Sequence, residues 1–233
     1  MGLFDRFFKK NTPEKQFTSA IQPLPLQSSI AKSAEIIDAL DKLEYFTYAD
    51  PAHLPQLKAE LGKGLVGEHY FPFIESGSPK YETLDPRQYI LDNETLFEQG
   101  GIVDALENMA PLFAKMNIRM EISDHVEEYN TETGLDHRIT LNGKPYTIFH
   151  QWAGYGWGES AQRFADIVND QLTLQNSIER LYLIQGANDG RAVFFTPGQY
   201  ALVRPLINNL NECPLPTKEW CKVMEVIWVN VIN

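Results

Sequence analysis

The chain has 233 residues, 43% of them apolar and 12% aromatic, with 31 acidic and 20 basic side chains giving a formal net charge of −11. Enough apolar surface is present to build a core, which excludes a disordered chain, and the charge excludes phosphate-backbone binding unless basic residues cluster locally. They do not: the first fifteen residues hold four basic and two acidic side chains, leaving −13 for the remainder, so no nucleic-acid partner is expected.

Leu3, Phe4, Phe7 and Phe8 recur at helical spacing beside Arg6, Lys9 and Lys10. Such a segment can touch an anionic membrane peripherally or dock on its own domain, and residues 1–10 therefore carry a membrane-proximal scaffold as one alternative reading. Residues 11–29 contain Pro13, Pro23 and Pro25 and read as a linker. No apolar run is long enough to cross a bilayer, so no transmembrane segment is expected and the localisation reading is cytoplasmic.

Residues 30–233 read as one α+β domain, an antiparallel meander and hairpins packed with several helices, with a candidate subdomain boundary at 76–86. Ile30, Ala34, Ile37, Leu40 and Leu43 mark a first helix. Asp50-Pro51 starts a second, expected to end at Gly62. Residues 66–74 read as a strand, followed by a turn at Ser76-Gly77-Ser78-Pro79. A core helix spans Ile102 to Met116, with a kink expected at Pro111.

Residues 118–149 read as a three-stranded meander. Asn142-Gly143 is its clearest turn, because both residues tolerate positive φ. With that turn, Leu141 faces Lys144, Ile139 faces Tyr146 and His137 faces Ile148. Ala161 to Leu172 has helical periodicity, residues 181–184 and 192–195 form a hairpin, Thr196-Pro197 opens a helix reaching Leu210, and Val223 to Ile232 alternates as a terminal strand.

No catalytic signature accompanies these elements. Ser78 and Ser160 lack the Gly-x-Ser-x-Gly setting of a hydrolase nucleophile, and Gly154-Tyr155-Gly156-Trp157-Gly158 lacks the spacing of a dinucleotide fingerprint or a P-loop. Cys213 and Cys221 are too few for a disulfide framework or a four-thiolate zinc site; reduced thiols are expected, with a single bridge as the alternative. His53, His69, His125, His137 and His150 include no pair four residues apart, which excludes a zinc helix. No cofactor and no metal ligand is assigned. Convergence of His125, His137 and His150 around one ion, as in a metal-assisted hydrolase, depends on strand register and stays open as a second alternative.

The densest one-sign stretch is Glu121, Asp124, Glu127, Glu128, Glu132 and Asp136, preceded by Asp92, Glu94, Glu98, Asp104 and Glu107. Trp152, Tyr155 and Trp157 follow on a glycine-rich loop, where rings can wall a ligand or anchor a protein interface. These nine residues, Glu121 to Asp136 with the three aromatics, form the expected partner-binding set. The leading functional reading is an acidic cytoplasmic protein-binding module of the immunity type, inhibiting a basic toxin enzyme.

Overall fold

The computed structural model describes residues 26–67 and 83–230. The amphipathic segment 1–10, the linker through residue 25, the strand expected from residue 68 onward and the turn at 76–79 lie outside the described residues.

Helix α1 is Leu26–Lys42 and α2 is Leu54–Val66. Helix α1 begins inside the stretch read as linker, and Ile30 projects into solvent while Ile36, Ile37 and Leu40 enter the core. Helix α2 starts later and ends later than Asp50-Pro51 and Gly62 imply. Asp50 spends its carboxylate on the Ala52 N–H in a preceding turn, and Pro55 sits in the first turn of the helix. Gly62 does not end it, because this residue is where α1 approaches: a Cβ there would come within 2.2 Å of Ser33 Oγ. Val66, expected to open a strand, is the last residue of α2.

The other α-helices are α3 Asn93–Phe97, α4 Gly101–Lys115, α5 Trp157–Leu174, α6 Pro197–Val203 and α7 Thr217–Val223. Helix α4 runs through Pro111 as one element. Helix α6 carries a complete capping box, Thr196 accepting from the Gln199 N–H and Gln199 from the Thr196 N–H, but it ends well short of Leu210, at a 3-10 turn, Arg204–Leu206, that contains Pro205.

Two antiparallel three-stranded sheets complete an α+β fold among the described residues. In the first, β1 (Gln88–Ile90) pairs with β6 (Arg191–Phe195), which pairs with β5 (Arg180–Ile184). In the second, β2 (Ile122–Asn130), β3 (Gly134–Leu141) and β4 (Lys144–Trp152) form the expected meander, with Asn142 and Gly143 both at positive φ in the β3–β4 turn. Leu141 faces Lys144 and Ile139 faces Tyr146, but bulges then shift the register, and His137 faces Phe149 rather than Ile148. The extra residue turns both Ile148 and Phe149 into the core.

Among the described residues the expected terminal strand is absent. After α7, Glu225 adopts a left-handed φ and the chain crosses α5 through side-chain bonds: Gln162 donates to the Val229 carbonyl and Trp228 Nε1 donates to Asp166. Cys213 and Cys221 are buried free thiols, and burial, then Asp166 and Glu159, pushes Cys221 up to about 12. Neither should react with a disulfide-exchange reagent at neutral pH until the chain unfolds, and full labelling in buffer alone would contradict this packing.

A polar knot ties the first helices to the first sheet. Tyr45 donates to Asp85, and the Arg87 guanidinium bonds Glu179 Oε2 at 2.7 Å and the Tyr45 carbonyl at 2.7 Å. Arg87 is 2% exposed and Glu179 6%.

Candidate functional site

The second sheet separates the acidic residues by strand alternation. Opposite pairs are Glu128 with Asp136, Glu127 with His137 and His125 with Ile139. Glu128 and Asp136 therefore share one face with Asp124, and that face is solvated. Asp136 there accepts from His150 at 2.7 Å, and that contact, with the Gln151 N–H, holds its carboxyl below the usual range. Glu132 lies in the exposed β2–β3 turn, and Glu121 precedes β2 in an ion pair with Arg119.

Glu127 belongs to the other face. Its side chain is 8% exposed, and its Oε2 accepts from the Gly100 N–H at 2.8 Å, at the start of α4. A carboxylate suits that place, since the first amides of a helix lack partners within it. The residue expected on the exposed acidic surface is thus withdrawn from it.

Beside Glu127 stand two histidines. His125 Nε2 lies 3.0 Å from His137 Nε2, Glu127 Oε2 lies 3.7 Å from His125 Nε2, and Glu127 Oε1 lies 3.7 Å from His137 Nδ1. One ligand atom from each of the three falls within 4.8 Å of the others. Burial, and then His125, pushes His137 down to about 4, which keeps this imidazole neutral at pH 7. His150 does not join them, because it follows Phe149 onto the solvated face and pairs with Asp136. The sequence signal for the group is His125-x-Glu127, two residues apart on a strand and hence on one face; the third member needs the β2–β3 register.

Glu127 also lines a cavity of about 610 Å³ walled by the rings of Phe97, Tyr129, Trp152 and Tyr155 and by Gln99. Tyr129 and Tyr155 stand at its rim, 75% and 85% exposed. Trp152 and Phe97 are half-buried, and both pack against Phe149, with ring centroids 5.3 Å and 5.4 Å away. The first residue of β3 permits this close pairing: Gly134 has φ +94°, and a Cβ there would lie 2.3 Å from the Trp152 carbonyl. None of the described residues lining the cavity is basic. Arg163 lies behind the wall, its guanidinium 4.2 Å from the Phe149 ring centre and 4.9 Å from that of Trp152. A ligand in the cavity meets the rings and the Glu127 carboxylate before it meets that charge.

Of the nine expected residues, the cavity gathers Glu127, Trp152 and Tyr155 and adds Phe97, Gln99 and Tyr129. Trp157 lines a separate cavity of about 490 Å³ with Trp220, Gln185 and Met224, although its ring meets that of Tyr155 at 6.0 Å. No helix among the described residues is long and apolar enough to cross a membrane. No protein-family model, curated protein or solved structure matches the chain.

Proposed function

We propose that the protein is a binding module for a basic protein partner and takes a lysine or arginine side chain of that partner into the cavity between β2, β4 and the start of α4. The observation that carries this reading is the set of four aromatic rings around one inward-turned carboxylate, with no basic residue among the described residues of the lining. Ring faces attract a cation by about 0.5 to 2 kcal/mol, more as water is excluded. The Glu127 carboxylate supplies the opposite charge, and Gly100 holds it in place.

The solvated face adds range without adding contact. Asp124, Glu128 and Glu132 are exposed, and a one-sign field of that kind speeds the approach of a basic surface. An inhibitor that blocks the basic cleft of a toxin enzyme, as immunity proteins do, needs these two parts: a field for capture and aromatic anchors for retention.

The field and the anchors separate kinetically. With an arginine-rich peptide as probe, charge reversal at Glu128 and Glu132 to Lys should lower the association rate severalfold and flatten its dependence on salt, leaving dissociation little changed. Association of the unaltered protein at one rate from low to high salt would contradict the role given to the acidic face.

A further inference from the structure

We infer that His125, Glu127 and His137 form a binding site for one first-row divalent transition-metal ion. The inference stands on the geometry of the two strands and shares Glu127 with the cavity proposed above. Two imidazoles and one carboxylate make a donor set that suits zinc, iron, cobalt or nickel.

The nitrogens are spaced for it. An ion about 2.1 Å from each Nε2, the usual distance to histidine, would see two atoms 3.0 Å apart at an angle of about 90°. That is the angle of neighbouring ligands in a six-coordinate or strongly distorted four-coordinate site, with further positions left for water. Glu127, two positions from His125 on β2 and opposite His137 on β3, brings an oxygen to 3.7 Å from His125 Nε2, and one ligand atom of each residue lies within 4.8 Å of the others. Its carboxylate is already oriented by the Gly100 N–H, and an oxygen with two lone pairs can keep that bond while facing an ion. His125 is 25% exposed while His137 is 2%, so the group has a solvent side for entry and a dry side for support.

A hydrogen bond between the two imidazoles would also place the Nε2 atoms 3.0 Å apart, and metal titration separates the two arrangements. Glu127 serves both the ion and the cavity, so a bound cation in one opposes a bound cation in the other.

The deciding experiment is titration of the full chain, first stripped with a chelator, with cobalt(II) followed by its visible spectrum and with zinc(II) followed by equilibrium dialysis, no basic peptide being present. The expected result is one ion per chain, a visible cobalt band, competition between the two metals, and loss of both signals in His125→Ala. His125 is on the solvent side, so this variant should keep its circular dichroism spectrum; Glu127→Gln, which retains an acceptor for Gly100, should weaken binding at least tenfold. Absence of stoichiometric binding would overturn the inference. So would binding unchanged in His125→Ala, which would place the ion elsewhere, as at the exposed His150 and Asp136.

Discussion

Replacing Arg87 with alanine is expected to cost about 3 to 5 kcal/mol of folding stability, the range for removing one partner from a buried ion pair. Arg87 joins three parts of the chain at once. Its Nη1 bonds Glu179 at 2.7 Å ahead of β5, its Nε bonds the Tyr45 carbonyl ahead of α2, and its guanidinium stacks 4.5 Å from the Tyr48 ring centre. Truncation leaves the Glu179 carboxylate 6% exposed with its charge uncompensated, and it also opens a void under two rings. The double variant Arg87→Met with Glu179→Leu should recover much of the loss, because neither member of the ion pair is then left without the other. Urea unfolding followed by tryptophan fluorescence measures both, and a loss under about 1 kcal/mol for Arg87→Ala would show that the knot is not what joins helices to sheet.

Local chemistry made part of this architecture legible. Asn142-Gly143 and Thr196-Pro197 each announce a single backbone conformation, and the structure has a tight turn and a capped helix there. The apolar runs 181–184 and 192–195 likewise become β5 and β6. What escaped depends on distant partners. Gly62 looks like a helix end until α1 is laid against it, and the three-residue β1 has no pattern of its own and exists because β6 offers an edge. The residues after Val223 alternate like a strand, yet the described ones pair with no strand: the Val229 backbone bonds the Gln162 side chain of α5, and the Trp228 indole bonds Asp166.

The site follows the same division. Acidity and the aromatic loop were visible along the chain, but strand alternation decides which carboxylate turns inward, and one position separates buried Glu127 from exposed Glu128. Tyr129, Phe97 and Gln99 carried no local signal, since they join Trp152 and Tyr155 only once α3 and the second sheet meet. The pairing of His125 with His137 was hidden for a related reason. The connection Thr131-Glu132-Thr133 has no Asn-Gly signature, so the register that sets Glu127 opposite His137 could not be counted from it.

The larger effect on function is expected at the cavity. Glu127→Gln removes one charge while preserving an acceptor for Gly100, and it should weaken an arginine-rich peptide by roughly 1.5 to 3 kcal/mol, about tenfold to a hundredfold, as for a charged partner lost from a partly desolvated site. Tyr129→Ala and Tyr155→Ala should each cost about 1 kcal/mol through the ring lost from the rim. These rim residues are exposed, so their loss of binding would come without loss of fold.

The most direct test is an NMR titration that follows the Trp152 indole N–H, which has no hydrogen-bond acceptor among the described residues, while an arginine-rich peptide is added. A saturable shift is expected, strongly reduced in Glu127→Gln and in the Tyr129→Ala, Tyr155→Ala double variant, and absent with an acidic peptide of equal length. An unmoved Trp152 signal, or a shift of the same affinity in Glu127→Gln, would contradict recognition of a basic partner at this cavity.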